Sequence, residues 1–235
     1  MTTTNIKAVF FDFMGTCLDW HSGTIKALPQ SISESERSDI ALKWRHDYFA
    51  ANAARIAANE PVEDIEVTLG KTLSALVETR PAHKRLFDKE TKERCIAAWH
   101  SMPAWPDVAQ AIEQLKASGY EVFVHANGTT RLQLDLCKSS GLSFDMLFSS
   151  QLLGVYKPAP DSYREVLRLV NVKPEETVLV AAHAYDTRGA KKAGMKTVYV
   201  HRWTDDINED MEVVKGENDF FLGDMTNLAG VIRQL

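Results

Sequence analysis

The chain has 235 residues, 45% of them hydrophobic and 25% charged, an ordinary globular mix with enough length for a large core. Its 27 Lys and Arg against 32 Asp and Glu give a net charge of −5, which carries no electrostatic footprint for nucleic acid. No apolar run approaches a membrane span, the opening Met-Thr-Thr-Thr-Asn lacks the basic and apolar regions of a signal peptide, and three cysteines (Cys17, Cys95, Cys137) without metal spacing suit a reduced, cytoplasmic protein.

The apolar run Ile6-Lys7-Ala8-Val9-Phe10-Phe11 reads as a buried strand. It stops at Asp12 and turns through Phe13-Met14-Gly15-Thr16, which puts a carboxylate at the carboxyl edge of a sheet, where open α/β folds bind ligands. Residues 21–100 contain no convincing strand and carry helical patterns over 39–58, 62–79 and 88–100. From residue 103 onward strands and helices alternate. Pro106-Asp107 opens a helix with Val108, Ile112 and Leu115 at helical spacing and Gly119 at its close. A strand over 120–125 follows, then a helix over 129–140 stopped by Gly141 and a short strand over 144–148. Pro160–Val170 is a helix with proline at its start, 177–182 a strand, 187–193 a helix and 197–200 a strand. The acidic stretch 205–210 reads as a solvated loop and not a metal site. Repeated βα units predict an α/β fold with a parallel sheet covered on both faces. The core domain is expected over 1–20 and 101–235, with 21–100 inserted as a helical cap domain.

Four polar features fall at or just beyond predicted strand ends: Asp12, Asn127-Gly128, Lys157 in Val155-Tyr156-Lys157-Pro158, and Asp186 in His183-Ala184-Tyr185-Asp186. Each has a bland reading alone, as a helix cap, a turn or a surface charge. In this order they form a constellation. Cys17, close to Asp12, reads as a small buried filler more readily than as a catalytic thiol, because no histidine partner accompanies it in a recognisable motif. Trp20, Trp44 and Phe49 read as core residues or as walls of a cap pocket.

Asp-x-x-Gly-Thr after a first strand, Asn-Gly after a later one, Lys-Pro, then Asp in a post-strand loop resembles the haloacid dehalogenase superfamily, from Ile6 to about Asp206. Trp44-Arg45 and Tyr163 make the L-2-haloacid dehalogenase branch the nearest resemblance. That resemblance implies a Rossmann-like core with a cap, a small-molecule substrate and no cofactor. Dimerisation is common in the branch, so a homodimer is a further expectation. Asp12 would attack carbon and form an aspartyl ester, with Lys157 holding it ionised. Thr16 would fix the turn, Arg45 would meet the halide or grip substrate, and Asp186 would position or activate the hydrolytic water. Asn127 and the backbone around Phe13, Met14 and Ala126 would hold the substrate carboxylate, and Tyr163 and Tyr185 would complete the substrate site, Tyr185 as an apolar wall. His183 stands where the branch has asparagine; it either hydrogen-bonds the water or leaving group, or merely fills the loop.

Most members of the superfamily are phosphatases, which place a proton donor two residues after the nucleophile and a magnesium-binding carboxylate four residues before the position of Asp186. Met14 and Ala182 stand there instead. Phosphate esters need both groups, because an alkoxide leaves poorly and a dianion needs its charge offset, whereas halide leaves unprotonated. The reading is therefore metal-independent hydrolysis of a small 2-haloalkanoic acid. Two alternatives stay open: an Mg²⁺-dependent phosphatase, and a catalytically weak protein of the same fold that binds a metabolite or partner, since Ala126, Ala181 and Ala182 lack hydroxyls that the branch carries.

Overall fold

Ala8-Val9-Phe10-Phe11 form strand β1 (Ala8–Phe11), and all four side chains are buried, as a central strand covered on both faces requires. The structure, a computed structural model, describes residues 6–58, 60–61 and 63–235. Met1 to Asn5, and the helix start expected at Val62, lie outside these residues. After β1 come helices α1 (Trp20–Ala27), α2 (Glu34–Ala57), α3 (Ile65–Glu78), α4 (Lys89–Ala97) and α5 (Val108–Ala117). Next are β2 (Glu121–Ala126), α6 (Thr130–Ser140), β3 (Met146–Ser149), α7 (Ser150–Leu153), α8 (Pro160–Val170) and β4 (Thr177–Ala181). The chain closes with α9 (Ala184–Lys192), β5 (Lys196–Val200), α10 (Met211–Glu217), β6 (Phe220–Leu222) and α11 (Leu228–Ile232).

The six strands make one parallel sheet in the order β3-β2-β1-β4-β5-β6. The chain runs outward from β1 through β2 to β3, then returns to the other side of β1 and runs outward again. The strand order therefore reverses beside β1, and the crevice at its carboxyl end is the place where such sheets bind ligands. Asp12 follows β1 directly, and its amide donates to Val180 O on β4 at 3.0 Å, which ties the first loop residue to the sheet edge. Local signals set the helix ends. The Thr129 hydroxyl accepts from the Leu132 amide at the start of α6, and Gly141 at φ +73° ends it.

Packing divides the chain into two compact units, one of residues 1–19 with 104–235 and one of residues 20–103. The second contains α1 to α4 and, among its described residues, no strand. Its core is aromatic: Trp20 stacks on Trp99 with ring centres 6.0 Å apart, and Trp44 meets Trp99 edge-on at 5.5 Å. Trp44 is fully buried, and its indole N–H donates to Leu69 O at 3.0 Å, so it is a core residue. Helix α1 is absent from the sequence reading. Eight residues with Gly23 in the middle give little periodic signal; the helix is held by the stacking of Trp20. Also unforeseen are α7, α10, α11 and the three-residue edge strand β6, each too short to show a period.

Candidate active site

The first unit gathers Asp12, Thr16, Lys157, His183 and Asp186 at the carboxyl end of β1 and β4, all buried. Lys157 is the hub. Its ammonium donates to Asp12 Oδ1 at 2.9 Å, to His125 O at 2.7 Å and to Asp186 Oδ2, which uses all three of its N–H bonds. Thr16 donates to Asp12 Oδ2 at 2.7 Å and accepts the Ala182 amide at 2.9 Å, so it holds the carboxylate as well as the turn. Each Asp12 oxygen thus has one donor and keeps a further lone pair. Burial works to raise the Asp12 pKa, but the charges of Lys157 and His183 and the Thr16 bond outweigh it and lower it below the ordinary carboxylate value. Burial works to lower the Lys157 pKa, and the two flanking carboxylates raise it above the ordinary value. The pair therefore stays ionised at neutral pH.

Three of the predicted residues contact one another or Lys157. Asn127 was to hold a substrate carboxylate, but its side-chain amide donates to Lys157 O at 3.0 Å and accepts from Lys157 N at 2.9 Å. It clamps the lysine backbone. Tyr163 was to meet substrate, but it is fully buried and its hydroxyl donates to Asp186 Oδ1 at 2.7 Å. Asp186, expected to position the water, has no solvent exposure, and each of its oxygens takes one donor, from Lys157 and Tyr163. It pairs with the Lys157 ammonium. Asp186 also lies inside α9, which starts three residues before the predicted helix. The reason is non-local: the carboxylate of Asp206 accepts the Ala184 amide at 2.5 Å and so caps the helix from a loop 22 residues further on.

The remaining predicted residues lie around this cluster. Phe13 is buried edge-on against Phe144 at 5.6 Å, and Ala126 is buried with its carbonyl accepting from Gln133. Met14 is half-buried and accepts from or faces His183 Nε2 through its carbonyl, 3.3 Å away. Among the described residues no backbone bond uses the amides of Phe13 or Met14, whereas those of Asp12 and Gly15 are spent on Val180 O and Leu18 O. Tyr185 stacks on His183 with ring centres 5.5 Å apart. Arg45 belongs to the second unit, where its guanidinium lies 4.5 Å from the Phe49 ring centre and 5.3 and 5.4 Å from those of Trp20 and Trp99.

Asp205 and Asp206 correct the reading of 205–210 as solvated. Asp205 is 5% exposed and takes the Thr204 hydroxyl at 2.8 Å. Asp206 adopts φ +52° and accepts from Tyr199 OH at 3.2 Å as well as from Ala184. Both carboxylates face His183. Their position just past the carboxyl end of β5 was the signal available in the sequence. Arg202 was also missed. It donates to Thr16 O at 3.2 Å and pairs with both oxygens of Asp107, strapping the nucleophile loop from behind.

Gly15 has φ +90°, and a Cβ there would lie 2.7–2.9 Å from the Asp205 carboxylate. Gly15→Ala is expected to destabilise the fold by at least about 1–2 kcal/mol, the cost of left-handed backbone for an L side chain, before any clash. A urea midpoint equal to that of wild type would refute this. Cys17 completes the loop by donating from Sγ to Asp12 O at 3.3 Å. Burial, then the Asp12 charge, push its thiol well above the ordinary value. Burial does the same to Cys95 and Cys137, each raised to about 11.

The residues do not suit a magnesium ion. An ammonium already bridges the two carboxylates, and Ala182 brings no side-chain oxygen.

The sequence profile of haloacid dehalogenase-like hydrolases matches residues 6–194. A curated relative, (S)-2-haloacid dehalogenase 4A of Burkholderia cepacia, is 28% identical over 200 residues that cover 84% of each chain. One crystal structure of an L-2-haloacid dehalogenase superposes with a TM-score of 0.82 at 27% identity, covering 98% of this chain and 100% of that one. A defluorinating L-2-haloacid dehalogenase superposes with a TM-score of 0.84 at 26% identity, covering 97% of this chain and 96% of the other.

Proposed function

The chain belongs to the haloacid dehalogenase-like hydrolases, and from that premise we propose that it hydrolyses small 2-haloalkanoic acids through an ester on Asp12, without a metal. The observation that carries the reading is the state of Asp12: a buried carboxylate kept ionised by Lys157, with lone pairs still available, and with no proton donor two residues on. An ionised carboxylate needs no base to attack carbon. It displaces halide from C2 in line, so the electron pair of the carbon–halogen bond leaves with the halide. The amides of Phe13 and Met14 suit the substrate carboxylate, as paired turn amides suit anions. Water then cleaves the ester and returns Asp12.

A parallel screen tests the reading. Wild type is expected to release halide from L-2-chloropropionate or bromoacetate at the same rate with and without EDTA, and to release no phosphate from small phosphate esters. Magnesium-dependent phosphate release without halide release would instead establish the phosphatase. Ligand binding without turnover in either assay would establish the binding protein.

A further inference from the structure

We propose that His183, oriented by Asp206, is a catalytic residue of ester hydrolysis, carrying a proton from the attacking water to the departing hydroxy acid. The inference rests on the dehalogenase reading and adds to it a proton carrier beside the nucleophile.

The geometry places His183 between the nucleophile and an acidic pair. Its Nε2 lies 3.8 Å from Asp12 Oδ2, 3.7 Å from Asp205 Oδ1 and 3.3 Å from Met14 O. Its Nδ1 lies 3.5 Å from Asp206 Oδ1. The separation from Asp12 is too long for a direct bond and short enough for one water to touch both atoms. Asp206 is itself held: its other oxygen takes the Ala184 amide and the Tyr199 hydroxyl, and its backbone has the left-handed φ of +52°. Non-glycine residues in that conformation cluster at functional sites. The ring of Tyr185 stacks on the imidazole and limits its rotation. A nucleophilic carboxylate, a histidine and an acid that orients the histidine form the arrangement by which a covalent ester is commonly resolved.

Charge couples the two halves of the reaction. In the resting site both ring nitrogens face oxygen acceptors, which favours the imidazolium. Burial works to lower its pKa, but the Asp206 hydrogen bond and the charges of Asp205, Asp12 and Asp206 raise it to about 9. Ester formation makes Asp12 neutral and removes one of those charges, which lowers the imidazolium pKa and favours the neutral base; the proton lost goes to solvent. Neutral Nε2 then takes a proton from water as the water oxygen bonds to Cγ of the Asp12 ester. The bond from Cγ to the substrate oxygen breaks, its electron pair stays on that oxygen, and the oxygen takes the proton back from Nε2. The second water proton is shed by the new Asp12 carboxyl, which ionises beside Lys157, and it re-forms the imidazolium. The net change is one water consumed and one hydroxy acid released.

The test is a pre-steady-state measurement on the full chain with L-2-chloropropionate in excess. It follows chloride release and the intact mass of acid-quenched protein. His183→Gln is expected to give a full burst of one chloride per site, to hold the ester on Asp12, and to hydrolyse it about 10²–10⁴-fold more slowly than wild type. The wild-type hydrolysis rate should fall toward acid pH, and this limb should vanish in His183→Gln. Asp206→Asn, which tolerates the left-handed backbone, should slow hydrolysis less and move the limb to lower pH. Ester hydrolysis within threefold of wild type in His183→Gln, a limb that survives there, or loss of the burst itself would each overturn the proposal. A wild type that releases no chloride would instead refute the dehalogenase reading, and the proposal with it.

Discussion

Asp12→Asn is expected to abolish halide release from L-2-chloropropionate, by about 10⁶-fold, the scale on which removal of a covalent nucleophile is felt. The carboxamide keeps the size of the side chain and an oxygen for the Thr16 hydroxyl, so the loss reports chemistry and not collapse of the loop. An amide oxygen has no charge to form the ester, and the other carboxylate at the ammonium, Asp186, is enclosed by Lys157 and Tyr163. No covalent adduct should appear in the mass of quenched Asp12→Asn protein. Substantial halide release by that variant would move the nucleophile elsewhere and dismantle the whole assignment.

Lys157→Met is expected to cost both activity and stability. The side chain is similar in length, but its loss leaves Asp12 and Asp186 as two buried carboxylates with no cation between them. Removing one partner of a buried ion pair commonly costs about 3–5 kcal/mol. Chemical denaturation should therefore show a much lower midpoint. The pH dependence has a definite sign. Because the Asp12 pKa is lowered in the folded protein, its contribution to stability is present above the ordinary carboxylate value and is lost as pH falls through the folded value. Because the Lys157 pKa is raised, its contribution is fully present below the ordinary lysine value and is lost as pH rises through the folded value. Without Lys157 the Asp12 pKa rises, so the acid limb of the halide burst should move toward neutrality. An unchanged limb, or an unchanged denaturation midpoint, would show that Lys157 is not the group that holds Asp12 ionised.

What could be read in advance was local. The run from Ala8 to Phe11 is apolar without a break, so both its burial and the position of Asp12 follow from adjacent residues. Pro160 and the glycines at 119 and 141 mark helix ends by backbone rules that need no partner. What could not be read depends on residues far apart in the chain. Nothing near Asn127 says that its amide closes on the backbone of Lys157, thirty residues on. Nothing near Ala184 says that Asp206 caps its helix. The run 205–210 has the composition of a solvated loop, and Asp205 is buried only because it is folded against Gly15 and His183. His183 has two readings in the sequence because its acidic partners, Asp205 and Asp206, lie more than twenty residues away.

The thiols carry a consequence of their own. Short 2-haloacids alkylate free cysteine, and the thiolate is the form that reacts. A protein that turned over such compounds would be exposed to its own reagent. Cys17 is one turn from the nucleophile, yet burial and the neighbouring carboxylate keep its sulfur protonated. Cys95 and Cys137, raised to about 11, hold only about one thiolate in 10⁴ at neutral pH. Burial and the carboxylate charge that sits beside Cys17 therefore disarm the sulfur nearest the nucleophile, and alkylation of the native protein by a 2-haloacid is expected to be slow.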